Sequence, residues 1–235
     1  MRRTRMRSNI QKITALALSL AAILLLTSCK TEEPQPLPSP TPFVPNIDAF
    51  TVGTIDDTGY ASVFFGFGFR LPEGWQYYSR SETDKLNQIQ ADPADQQAYA
   101  KENVDQLKNA EGHIEYFAGN DQKGENLTIY AVDYARYPDE ILMEMSEMDK
   151  SLGWLADLNG DSKDDIEHLS LDVVDLFGVE HPVYRYDIHL EGYGNRGAFL
   201  TIKQGTTFAV ILINGADENA VNAILQGFYA LNNAS

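Results

Sequence analysis

Oxygen-bearing side chains alternate in one stretch near the middle of the chain, DLNGDSKDDIEH, where Asp157, Asn159, Asp161 and Asp165 stand two or four residues apart. Such spacing suits a hard cation. Calcium takes six to eight oxygens, several of them charged, from a loop that offers side chains at alternate positions and one backbone carbonyl. With Asp157 as position one, the carbonyl falls to Lys163 and Asp165 takes position nine.

The first nine positions resemble the loops of EF-hands and bacterial dockerins. Position six is Ser162, however, where glycine eases the turn, and position twelve is His168, where a bidentate acid closes the shell. The residues that follow alternate as a strand, so no second helix aims a closing ligand. The preferred reading is a polar helix-to-strand loop turned by Asn159-Gly160, and a weak calcium site is its alternative.

Other chemistry is sparse. There is no G-x-S-x-G elbow, no H-E-x-x-H pair and no glycine-rich phosphate loop ending in lysine. His113, His168, His181 and His189 each stand alone in sequence, and acids such as Asp56-Asp57, Asp164-Asp165 and Asp172 with Asp175 are too common among 34 to mark a catalytic pair. Trp75, Tyr77 and Tyr78, or Tyr193, are the residues able to stack on sugar rings, with ordinary packing as the competing account.

Cys29 is the only cysteine, which excludes an intrachain disulfide. Before it stand Arg2, Arg3, Arg5, Arg7 and Lys12, then an apolar run from Ile13 to Leu26 that is too short to span a bilayer. Leu26-Thr27-Ser28-Cys29 resembles the bacterial lipobox. That resemblance implies cleavage after residue 28, a diacylglycerol thioether and further acylation at Cys29, and residence outside the cytoplasm on the bacterial cell membrane. Losing residues 1–28 leaves 13 bases against 34 acids, a formal charge of −21. Such a surface repels nucleic acid and anionic headgroups, so attachment rests on the lipid.

The elements that would position any site begin after residue 46. Residues 29–46 carry Pro34, Pro36, Pro38, Pro40, Pro42 and Pro45 and form an extended tether of about 50 Å at ~3.1 Å per residue. Residues 47–235 read as one globular domain. A strand is expected over 63–71, a turn at Pro72–Gly74, helices opened by Ser81 and by Pro93, and a hairpin over 113–117 and 126–134. Pro138 opens an amphipathic helix whose Ile141, Met145, Met148, Leu152 and Leu155 share a face. Strands follow over 167–176, 182–190, 197–204 and 206–214, the last apolar throughout from Phe208 to Ile213 and therefore central. A helix capped by Asp217 closes the chain with Val221, Ile224, Leu225, Phe228 and Leu231 inward.

Short links force antiparallel neighbours among the last four strands. The fold class is thus α+β, a mostly antiparallel sheet with helices on both faces. The run FGFRLPEGW, then DLFGVEHPVYRY, Lys203-Gln204-Gly205, TTFAVILI and a final helix resembles the PsbP-like α/β/α sandwich over about residues 50–232. The resemblance implies a noncatalytic role in docking or assembly and carries over no site residue. The leading expectation is a lipid-anchored binding module whose protein or cell-wall partner is unspecified, with no cofactor. The alternative is an extracytoplasmic hydrolase or carbohydrate-binding protein acting on wall or dietary polymer.

Overall fold

A computed structural model describes residues 46–110, 112–133, 166–188 and 196–231, with the backbone alone at 166–169 and 188. Cys29, Tyr193, His189, the helix expected over 138–155 and the candidate ligands Asp157, Asn159, Asp161, Lys163 and Asp165 lie outside them. No helix among the described residues is long and apolar enough to cross a membrane.

The protein is α+β, and every strand pair among the described residues is antiparallel, including the run from 166 to 215 for which the short links required it. The strands are β1 Thr54–Asp56, β2 Gly59–Ser62, β3 Phe67–Arg70, β4 Gln76–Tyr77, β5 His113–Asn120, β6 Glu125–Asp133, β7 Ile166–Leu176, β8 Val179–Ile188, β9 Arg196–Gln204, β10 Thr207–Gly215 and β11 Phe228–Ala230. They form a seven-stranded sheet, β4-β5-β6-β10-β9-β8-β7, and a four-stranded one, β1-β2-β3-β11. β10 lies in the middle of the larger sheet, and its whole run from Phe208 to Ile213 is buried. A strand covered on both faces needs no polar alternation, which is why it reads as continuously apolar.

Along one face of the large sheet run Tyr116, Ala118, Leu127, Ile129, Ala209, Ile211, Leu200 and Val183. The smaller sheet packs here through Tyr60, Phe67, Phe69 and Phe228, with Phe50, Phe64 and Phe65 beside them. Full burial of each such side chain is worth roughly 1.5–3 kcal/mol. Among the described residues three helices complete this layer: α1 Arg80–Leu86, α2 Gln96–Asn109 and α3 Glu218–Leu225. α2 turns Val104 and Leu107 inward, and α3 turns Val221, Ile224 and Leu225.

Several boundaries differ from the sequence expectation for local reasons. The strand expected over 63–71 is broken at 63–66, where Gly66 takes φ +76 and the Ser62 hydroxyl accepts from Phe65 N at 3.1 Å. Val63 is left 78% exposed at that turn. α1 is capped by Ser79, not Ser81, because the Glu82 carboxylate closes on both Ser79 N and Ser79 Oγ at 2.7 Å. α2 begins after Asp95, whose side chain accepts from Ala98 N at 3.1 Å, three residues beyond Pro93.

Asp217 does cap the last helix, taking Ala220 N at 2.8 Å. That helix ends at Leu225, however, and Phe228 belongs to β11, opposite Phe69. A Cβ at Gly227 would lie 2.6 Å from the Phe69 ring, so the chain passes β3 too closely to continue as a helix. At the β7–β8 hairpin Phe177 (φ 65) and Gly178 (φ 77) form the two-residue turn that right-twisted strands prefer. The left-handed phenylalanine costs roughly 1–2 kcal/mol, offset as its ring stacks on Phe67 at 6.0 Å.

Candidate functional site

The sheet's second face carries a groove at the β4-β5-β6 edge, built by ladder register. Gln76 stands opposite Gly119, and Gly119 opposite Asn126. One row further, Phe117 faces Thr128, with Tyr78 joined to that row by its N–H to Phe117 O at 2.9 Å. Side chains two apart on a strand share a face, so Gln76 and Tyr78 align over Gly119 and Phe117.

Gly119 is the floor. A Cβ there would lie 2.7 Å from Glu125 O and 3.1 Å from the Asn126 Cβ, so only glycine leaves the concavity open. The β5–β6 turn forms one wall, held by Asn120, which accepts from Gln122 N at 3.1 Å and donates to Gly74 O at 3.3 Å. Among the described residues Glu82, Asp121, Gln122 and Glu125 also line it, and the space is about 870 Å³. That lies within the roughly 300–1,000 Å³ usual for ligand sites.

The polar groups differ in how far they are already engaged. Asn126 Oδ1 accepts from Asn214 Nδ2 at 3.0 Å, and Asn214 in turn receives the Tyr186 hydroxyl at 3.5 Å, which fixes the Asn126 amide from behind. Its Nδ2 makes no hydrogen bond within the described residues, nor do the Gln76 amide and the Tyr78 hydroxyl. Tyr78 is 42% exposed and packs on Phe117 at 4.8 Å, which holds its ring in place.

The acids are committed differently. Glu82 serves the Ser79 cap, whose hydroxyl and N–H hold its carboxyl below the usual range. Glu125 accepts from Trp75 Nε1 at 3.3 Å and faces Lys123 at 4.0 Å. A general acid needs a carboxyl raised toward neutrality, and Glu82 is shifted the other way.

Comparison with known proteins adds little to this geometry. No protein-family model matches the chain, and no curated protein matches it. The solution structure of cyanobacterial PsbP (CyanoP) from Synechocystis sp. PCC 6803 is similar at 12% identity and a TM-score of 0.42, covering 77% of this chain and 98% of that one. Nothing about a site or an activity follows from a likeness at that level.

A second polar cluster lies in the core. Glu115 sits at a β-bulge, where the β5–β6 register shifts between Ile114 and Tyr116. Its Oε2 accepts from Gly53 N at 2.8 Å and the Tyr60 hydroxyl at 2.9 Å, while Oε1 lies 3.2 Å from His113 Nε2. Both residues are fully buried. Burial pushes the Glu115 carboxyl up, but the His113 hydrogen bond, the Arg80 charge and the Gly53 N–H outweigh it and hold it below its ordinary value. Arg80 also donates to Gly53 O at 2.5 Å, so the cluster ties the segment entering the domain to β5 and α1.

A third place, between β7, β8, β9 and α3, encloses only about 80 Å³ and joins Arg185 to Asp172 at 2.9 Å and to Asn222 at 2.7 Å. Arg196 pairs with Asp187 at 3.1 Å. Both of its arginines are thus engaged internally.

The sequence candidates divide accordingly. Tyr78 reaches the groove with its ring, and Tyr77 lines it while packing against the core. Trp75 is only 7% exposed and turns inward against Phe69, so it cannot stack on a ligand. His113 is sealed beside Glu115, and Asp56 is a turn residue accepting from Thr58 N and Oγ1. Asp172 pairs with Arg185, and Asp175 holds the β7–β8 turn by accepting from Gly178 N at 2.8 Å. Residues 166–168, the end of the calcium-like stretch, enter β7 and pair with β8. Gln76, Phe117, Gly119 and Asn126 were missed because register alone brings them together.

Proposed function

We propose that this chain is a noncatalytic, extracytoplasmic binding module, held to the bacterial cell membrane through lipid at Cys29 and spaced from it by residues 29–46. The observation that carries the binding role is the groove over Gly119, where donors and an aromatic face stand unengaged within the described residues while neighbouring acids already serve a helix cap and an indole. The anchor rests on the order of basic head, apolar run and Leu26-Thr27-Ser28-Cys29.

The test is sedimentation of the mature chain with purified cell envelopes. Saturable co-sedimentation, weakened by Tyr78→Ala and without soluble fragments, is expected. Release of new reducing ends or amino groups above the blank would overturn the noncatalytic reading. Co-sedimentation indifferent to Tyr78→Ala would move binding elsewhere on the molecule.

A further inference from the structure

We infer that the groove binds a segment of a neutral glycan. This rests on the binding role proposed above and specifies its ligand. Three features select the class.

The Tyr78 ring, braced by Phe117, presents a rigid apolar face, and a pyranose offers its axial C–H face to such a ring while its hydroxyls point outward. Around it stand side chains whose capacity is unspent within the described residues: the Gln76 amide donates and accepts, Asn126 Nδ2 donates, and the Tyr78 hydroxyl does either. Ring hydroxyls and acetamido groups match that mixture, because they too donate and accept. An apolar peptide or an acyl chain would leave these groups desolvated without partners, at a cost for each.

Charge decides the rest. No lysine or arginine is among the described lining residues, whereas Glu82, Asp121 and Glu125 are. The nearest cation of the turn, Lys123, lies toward Glu125. A phosphate-bearing or uronate polymer would bring anions against three carboxylates in a domain that is itself strongly acidic, with Lys123 at the rim already facing Glu125. Neutral sugars meet no such barrier.

Two sources share this chemistry, N-acetylated wall glycan and unsubstituted glucan. The acetamido group matches the primary amides of Gln76 and Asn126, and hydroxyls alone match them as well.

The experiment titrates the mature chain carrying Trp154→Phe. Trp75 then reports alone, through its bond to Glu125 in the groove wall, with calorimetry alongside to catch optically silent binding. The probes are tetra-N-acetylchitotetraose, cellotetraose, polyglycerol phosphate and a degenerate pool of short peptides. At least one neutral tetramer is expected to bind with half-saturation below about 1 mM, and Tyr78→Ala or Gln76→Ala to raise that value about tenfold or more. Polyglycerol phosphate is expected to give no response. Tighter chitotetraose assigns a wall-type glycan, and tighter cellotetraose a glucan.

Response to polyglycerol phosphate or to peptides alone would overturn the saccharide while keeping the groove as a binding site. Silence toward all four probes up to about 10 mM would overturn both. Saccharide binding unchanged in both variants would overturn the groove as its location.

Discussion

At the scale of single residues the structure separates side chains that the sequence presents as equivalent. Trp75, Tyr77 and Tyr78 are consecutive or nearly so in an aromatic stretch, yet Trp75 is spent on the core and Tyr78 on the groove. Alternation along a short strand decides this, and the sequence gives no parity until a partner strand is known. Glu115 was equally hidden, since a lone acid in a strand reads as a surface residue and its burial depends on Tyr60, Gly53 and Arg80 arriving from distant elements. Its charge has a measurable consequence. Because the folded carboxyl titrates below its ordinary value of 4.5, its contribution to stability is complete above that value and is lost as pH falls through the folded one. Glu115→Gln is expected to lower unfolding free energy by about 1–3 kcal/mol near neutral pH and to flatten the acid limb of the stability profile. Denaturant midpoints across pH 3 to pH 7, roughly the range in which carboxyls titrate, check both. An unchanged acid limb in the variant would place the pH sensitivity elsewhere.

Among elements, what was legible follows from periodicity and caps, and what was not follows from pairing. β10 announced itself by six consecutive apolar residues, and the helix after Asp217 by its cap and apolar face. The end of that helix was misplaced because Phe228 continues the helical spacing while actually pairing with Phe69. In the same way the phenylalanine run before the Pro72 turn hides a hairpin, which Ser62 and Gly66 make locally. The groove residues depend on the same missing information, since Gly119 opposes both Gln76 and Asn126 only after register is fixed. Two substitutions test these assignments. Asp217→Ala should cost roughly 0.5–2 kcal/mol, the value of a helix cap, without altering the sheet. Phe228→Ala should cost about 3–5 kcal/mol, a core value, whereas an exposed residue of a frayed terminus would give a small one. Thermal or denaturant unfolding of each variant distinguishes the two.

For the whole molecule, the proposed division of labour is a lipid at Cys29, a proline-rich spacer and a folded domain that carries the groove. The acidic surface opposes any direct contact with anionic headgroups, so the anchor should be separable from the fold. Cys29→Ala is expected to move the protein from the detergent phase to the aqueous phase with no change in melting temperature, and retention in the detergent phase would remove the lipid from the account. Among the described residues the groove lies on the face opposite the Phe67 and Phe69 core. The most direct measurement of the central claim is amide chemical-shift mapping of the mature chain during titration with tetra-N-acetylchitotetraose and cellotetraose. Saturable shifts are expected to concentrate at Gln76, Tyr78, Phe117, Gly119 and Asn126, with both saccharides recovered intact. Shifts centred on the Arg185 and Arg196 cluster, or cleavage of either saccharide, would contradict it.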